Sequence, residues 1–338
     1  MFYAAWFELE VSTSDVRVAF MHAVASEPKY ANPPVEQRTA GWLWLIKKAM
    51  NGMRTASKDF GDLVAEVMNE IQFERGKADP QIYKDTKSQA AIVFHVDDPI
   101  LASARHQTAQ VWNRIGKHML LKAHEVMTAD RPIKYLSRQY VKVRAHGRRG
   151  FKVRLPQEYF DSIATTMDMI GCGTRAVPGR KRTGPTAGQV GQESRVLGAI
   201  EHSKYRAGVG KLQFMINEVP EIAYAVKNLS RQLAKPSESD MQELKQCVRY
   251  TLGHSDEWLH LTVQDKSHKQ DEMATIEVFT DADWAGDTKS MKSTSSVFTR
   301  IDGFIIGMNA QLQDTHARSR MRRPFLRCLL YTSPSPRD

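Results

Sequence analysis

The chain has 338 residues, 41% hydrophobic and 25% charged, with three cysteines and a formal net charge of +10. That length exceeds what one hydrophobic core usually serves, so two or more domains are expected, and the basic balance fits a phosphate-rich partner, with a solvated basic surface as the plain alternative. No apolar run is long enough to span a bilayer, Met1 to Trp6 lacks the basic start and cleavage site of a secretory signal, and the cysteines form no CxxC pair, which argues for an intracellular protein without disulfide framework or structural zinc.

Phe7-Glu8-Leu9-Glu10-Val11 alternates apolar and polar residues, which predicts a half-buried strand leading to Asp15. Phe60, Leu63, Val64, Val67 and Ile71 recur at helical spacing and predict a helix from Lys58 to Phe73. Ala91 to Phe94 is a short apolar run suited to a buried strand; Asp97-Asp98-Pro99 interrupts it and Ile100 to Ala102 resumes it. Helical spacing returns at Val111, Trp112, Ile115 and Met119, and again from Tyr159 to Ile170, closed by Gly171 as a C-cap. Gly147-Arg148-Arg149-Gly150 predicts a hairpin turn.

Residues 171–200 are rich in Gly, Pro, Thr and basic side chains without apolar periodicity, which predicts a linker or mobile loop. Beyond it a helix is expected after Pro220, on Ile222, Ala225, Val226, Leu229 and Leu233. A second follows Pro236, where Ser239 and Gln242 have capping-box spacing, and runs to Gly253. Alternation at Leu259, Leu261 and Val263, then Ile276 and Val278, then Val297, Thr299 and Ile301 suggests an antiparallel meander. The layout is a mixture of α and β.

Two acidic signatures stand out. Phosphoryl transfer to a 3′-hydroxyl relies on two Mg²⁺ ions roughly 3.5 to 4 Å apart, held by hard oxygen ligands, so clustered aspartates are the natural holders. Crowded carboxylates repel one another unless cations lie between them. In a flat strand Asp97 and Asp98 face opposite sides; they share a site only where the backbone bends, and Pro99 supports a turn there. Asp-Asp-Pro is equally an ordinary solvated turn, and Asp15 by itself reads as a strand-end cap. The later cluster Asp281, Asp283 and Asp287 around Trp284 and Gly286, followed by Lys292-Ser293-Thr294-Ser295, is more specific, although a polar loop between strands also accounts for it.

With these residues in hand, the chain resembles the reverse transcriptase and RNase H portion of copia-type retrotransposon polyproteins. Asp15-Val16-Arg17-Val18-Ala19-Phe20-Met21-His22 looks like the family's Asp-Val-Lys-Thr-Ala-Phe-Leu-His, and Lys47 to Arg54 like Lys-Lys-Ser-Leu-Tyr-Gly-Leu-Lys. Asp79-Pro80-Gln81-Ile82-Tyr83 resembles Asp-Pro-Cys-Val-Tyr, and His95-Val96-Asp97-Asp98 takes the place of Tyr-Val-Asp-Asp. Pro220 to Val226 with Leu229-Ser230-Arg231 resembles Pro-Asp-Ile-Ala-Tyr-Ala-Val and Leu-Ser-Arg, and Thr280 to Asp287 with Lys292 to Ser295 resembles the nuclease opening. The order holds from about residue 7 to 317.

The resemblance implies an α+β fold: a reverse-transcriptase palm of antiparallel sheet with packed helices over 1–172, a linker and helical thumb or connection over 173–270, and a truncated RNase H-like sheet over 271–319. It implies Asp15, Asp97 and Asp98 as polymerase metal ligands, Asp281 as the first nuclease carboxylate, and Mg²⁺ or Mn²⁺ as cofactor. A template-primer of RNA or DNA and deoxynucleoside triphosphates are the implied partners, in the cytoplasm within virus-like particles or in the nucleus. His95, Pro99 and Asn51 depart from the family pattern. The finger strands would precede Met1 and the remaining nuclease carboxylates would follow residue 319, so impaired polymerase and absent nuclease activity are expected. A decayed relic that only binds nucleic acid through its basic surface is the alternative. Residues 320–338 are set aside: Cys328 to Asp338 looks like the translation of a transposase adapter used for sequencing libraries, and the arginine-rich run before it reads as a frameshift near residue 319.

Overall fold

The structure, a computed structural model, describes residues 1–179, 194–265, 273–283 and 291–314. It divides into two compact units, one formed by residues 1–136, 140–151 and 265, the other by 137–139, 152–264 and the later described residues. Both mix helices with antiparallel strands, as the sequence predicts. Among the described residues no helix is long and apolar enough to cross a membrane.

The first unit opens with helix α1 (Phe2–Trp6), whose Ala4, Ala5 and Trp6 are buried. The strand expected over 7–11 therefore starts later: Phe7 caps the helix, Glu8 turns through a positive φ of 56°, and β1 spans Glu10–Thr13. The pair β2 (Val24–Ala31) and β3 (Trp44–Lys48) forms a separate two-stranded ribbon. Helix α2 (Ala56–Glu70) buries Phe60, Val64, Val67 and Met68 on one face. It ends three residues before the expected Phe73 because Gln72 turns through a φ of 67°, and Phe73 enters β4 (Phe73–Arg75).

Strands β5 (Ile82–Asp85), β6 (Ala91–His95) and β7 (Asp98–Ser103) continue, and helix α3 (Arg105–Gly116) and the short β8 (Glu125–Val126) follow. The resulting six-stranded sheet has the order β4-β5-β6-β7-β1-β8, so β1 is inserted between β7 and β8 rather than beside its sequence neighbours. Phe60, Met68, Phe73, Tyr83, Ile92, Leu101, Trp112 and Ile115 form its core. Strands β9 (Ile133–Tyr135), β10 (Arg138–Ala145) and β11 (Arg148–Arg154) come next. The turn between β10 and β11 falls at His146 and Gly147, both of positive φ, so Arg148 to Gly150 are strand residues and not the turn expected there.

The second unit is built on helices α4 (Gln157–Thr166), α5 (Ala199–Met215), α6 (Ala223–Ser230) and α7 (Glu238–Gly253). Phe160, Ile163, Tyr205, Leu212, Val226, Leu244 and Val248 form their shared core. Helix α4 stops at Thr166, short of Ile170, because Asp168 takes a φ of 52°. The expected linker is confined: residues 173–179 have no regular structure, 180–193 lie outside the described residues, and α5 begins at Ala199. The capping box of α7 is Ser237 with Asp240, two residues before the predicted Ser239 and Gln242; the Ser237 N–H and Oγ both donate to Asp240 Oδ2 at 2.8 and 2.6 Å. After β12 (Leu259–Gln264), strands β13 (Ile276–Ala282), β14 (Thr294–Ile301) and β15 (Phe304–Leu312) form a three-stranded antiparallel meander in that order. Strand β12, expected as the first of its three strands, is not a member of it, and β15 is the third strand instead.

Candidate functional site

Asp15 owes its place to the register of β1 against β7. Glu10 pairs with Ser103 and Thr13 with Ile100, and the ladder runs on past the end of β1: the Ser14 N–H donates to the Pro99 carbonyl at 3.3 Å and the Val16 N–H to the Asp97 carbonyl at 2.8 Å. Continuing that register sets Asp15 across from Asp98. Helix α3 locks β1 from beneath. Buried Trp112 donates its indole N–H to Ser12 Oγ at 2.8 Å, and Thr108 Oγ1 donates to Glu10 Oε1 at 2.7 Å. A one-residue slip of β1 would break both bonds, so side chains far from the aspartates hold the alignment.

The β6–β7 hairpin supplies the other two carboxylates. His95 pairs with Asp98, leaving Val96 and Asp97 as a two-residue loop. Val96 carries a φ of 56°, which a β-branched side chain adopts only at a cost of order 1–3 kcal/mol. Asp97 is exposed in the loop, whereas Asp98 begins β7 and is partly buried. The bend is the one expected from the sequence, with the turn one residue earlier than Asp-Asp-Pro suggests.

The electrostatics of Asp98 follow from this crowding. Burial pushes its carboxyl above the usual carboxylate range, and the negative charges of Asp97 and then Asp15 push it further; His95 and Lys122 act in the opposite direction. Lys122 is the local counter-charge: its Nζ lies 3.1 Å from Asp15 Oδ2, its N–H donates to the Asp15 carbonyl at 2.9 Å, and its carbonyl accepts from Ser14 Oγ at 2.8 Å. Tyr135 Oη lies 3.4 Å from the Asp98 carbonyl, and burial followed by the Asp98 charge raises its phenol well above the ordinary value. Neither Lys122 nor Tyr135 is legible in the sequence, because nothing in their neighbourhoods repeats or pairs with the aspartate signatures.

The donor chemistry fits a hard divalent cation: carboxylate oxygens on two adjacent strand ends, one with a disfavoured charge. The side chains do not converge, since among the described residues no three His, Cys, Asp or Glu are placed to hold a metal, and Lys122 occupies Asp15.

The later signature sits on the meander of the second unit. Asp281 lies near the end of β13, pairs with Ser296 of β14 and is exposed. Asp283 has a different part: its N–H donates to the Thr294 carbonyl at 3.0 Å, its Oδ1 accepts the Thr294 N–H at 2.6 Å, and its Oδ2 is buried with no hydrogen-bond partner. Ser293, Thr294 and Ser295 are buried, with Gln313 Nε2 donating to Ser295 Oγ at 2.7 Å and Lys227 Nζ to Thr294 Oγ1 at 2.6 Å. The serine and threonine run therefore packs inside the unit and anchors α6 to the meander. Trp284 and Asp287 lie outside the described residues.

No protein-family profile matches the chain. Among curated proteins, it is 23% identical over 323 residues to the retrovirus-related Pol polyprotein from transposon RE1 of Arabidopsis thaliana, covering 90% of this chain and 20% of that protein. It is 24% identical over 332 residues to the Pol polyprotein from transposon TNT 1-94 of Nicotiana tabacum, covering 94% and 23%. Against the putative transposon Ty5-1 protein YCL074W of Saccharomyces cerevisiae, identity is 22% over 251 residues, covering 70% and 74%. The chain thus spans about a fifth of the length of the two plant polyproteins.

Proposed function

The chain belongs with the Pol polyproteins of copia-type retrotransposons, and from that premise we propose that it is a reverse-transcriptase fragment that extends a primer on an RNA or DNA template, followed by the opening strands of an RNase H-like domain. One observation carries this reading: the β1–β7 register sets Asp15 across from Asp98 although 83 positions apart in number, with Asp97 in the adjoining loop. Asp15, Asp97 and Asp98 would hold Mg²⁺, which when bound neutralises the carboxylates and favours ionisation of the primer hydroxyl. The strand pair fixes the backbone of the ligands, and Lys122, now 3.1 Å from Asp15 Oδ2, would have to release that carboxylate for it to serve as a ligand. Asp281 is the corresponding first carboxylate of the nuclease part, and Asp283 serves the fold by capping β14.

The Lys122–Asp15 ion pair and the lack, among the described residues, of a converged carboxylate triad favour a second reading, a chain that binds nucleic acid without extending it. A primed RNA template with deoxynucleotides and Mg²⁺ separates the two. The polymerase reading expects weak extension by the native chain, lost in Asp97→Asn. Salt-sensitive binding without extension by either form would leave only the passive reading, and vigorous native extension would remove the expectation of impairment.

A further inference from the structure

The β2–β3 ribbon is unusual for what it leaves uncovered. Its base is fixed, with the Ala49 N–H donating to the Ala23 carbonyl at 3.1 Å and both alanines buried. Further out, nearly every residue of both strands is exposed. Trp42 is 72% exposed, Tyr30 65% and Trp44 45%, with Leu43 and Leu45 also open. A two-stranded ribbon is marginal in water by itself, and clustered exposed aromatics mark a surface that receives a partner.

The register sorts these side chains. Ala31 pairs with Trp44 and Lys29 with Ile46, so alternation puts Trp44, Ile46, Lys29 and Ala31 on one face, with Lys48 two residues further along β3. Trp42 lies in the connection just before that strand. Aromatic rings interleaved with ammonium groups suit a chain of bases and phosphates: each base offers a π-face to an indole, and each phosphate a charge to a lysine. Between Val24 and Lys48 there are four basic residues (Lys29, Arg38, Lys47, Lys48) and two acidic ones (Glu27, Glu36), so a second copy of this positive ribbon is the poorer match and an anionic partner the better.

We infer that the β2–β3 ribbon is a platform for single-stranded nucleic acid, on which Trp42 and Trp44 stack with bases while Lys29, leaving its 3.0 Å ion pair with Glu27, and Lys48, leaving the His22 carbonyl that it now donates to at 2.8 Å, meet phosphates. The site lies apart in sequence from the aspartates and needs no metal. It rests on the nucleic-acid reading above, yet the two fail separately: primer extension with an idle ribbon removes only the platform, and tryptophan-dependent binding without extension removes only the polymerase.

The test titrates the full chain with a single-stranded thymidine oligonucleotide, following tryptophan fluorescence and filter binding. Native fluorescence should be quenched, and Trp42→Ala/Trp44→Ala should bind at least about fivefold more weakly with an unchanged slope of affinity against salt. Lys29→Gln should reduce that slope by about 0.7. Circular dichroism of the variants checks that the fold persists, which the exposure of all three side chains leads one to expect. Native affinity in the double tryptophan variant would overturn the proposal. So would loss of self-association in sedimentation, without any change in oligonucleotide affinity, which would assign the ribbon to contacts between copies.

Discussion

Asp98 is a partly buried carboxyl crowded by two others. Its carboxyl holds a proton more tightly in the fold than in the unfolded chain, because burial and two neighbouring carboxylates disfavour the anion. The sign follows from linkage: the stabilisation from this group is fully present below the unfolded pKa and is lost as pH rises through the higher folded pKa. In metal-free buffer at neutral pH, Asp98→Asn should therefore melt above the native chain. The difference should vanish as pH falls below about 4, where the native carboxyl is protonated in both states. Thermal melts in a chelator across pH check this, and an Asn variant that melts lower at neutral pH would mean that Asp98 makes a net favourable contact. The aspartates were legible in the sequence as spacing and chemistry. Lys122 and Tyr135 were not, since their relation to Asp15 and Asp98 exists only once β1, β7 and the segments around β8 and β9 are folded.

Helix α5, over which the sequence predicts no helix, shows where periodicity falls short. Tyr205, Val209, Leu212 and Met215 form a buried stripe at helical spacing, but Ile200 at 85% exposure and Phe214 at 39% place apolar residues off that stripe, and two glycines interrupt it. Gly208 is there for a packing reason. A Cβ at that position would meet Met167 Sδ at 2.5 Å and Leu244 Cδ2 at 3.0 Å, and both side chains are buried in the unit's core. Alanine is the better helix former by about 1 kcal/mol, yet overpacking here should outweigh that and leave Gly208→Ala less stable by about 1–2 kcal/mol. A urea denaturation midpoint reads the sign; a gain would show that Met167 and Leu244 can repack. By contrast α2 was legible because its apolar residues keep to one face, and α7 because proline precedes it and glycine closes it. Its cap moved from Ser239 to Ser237 since two capping pairs of similar spacing compete in Ser-Glu-Ser-Asp-Met-Gln, and only the backbone direction chooses between them.

The chain carries a formal net charge of +10. If it serves nucleic acid, affinity for a non-specific duplex should fall linearly on a log–log plot against salt, each phosphate contact contributing a slope of about −0.9. Filter binding across a salt series measures this, and a flat line would reduce the excess of lysine and arginine to a solubilising surface. The chain spans about a fifth of its plant relatives, and its two units each enclose a core of their own. A chain of this length exceeds what one hydrophobic core usually serves.

Sequence alone established the mixture of helices and strands, the positions of most elements, the acidic signatures and the resemblance, since each is written in local periodicity or in the order of short motifs. Folding determined the insertion of β1 beside β7, the facing of Asp15 and Asp98, the ion pair on Lys122, the capping part of Asp283 and the bare ribbon of β2 and β3. These depend on pairings between residues tens of positions apart, whose register is set by buried partners such as Trp112 and Ser12, and no local pattern encodes which distant strand a segment will meet.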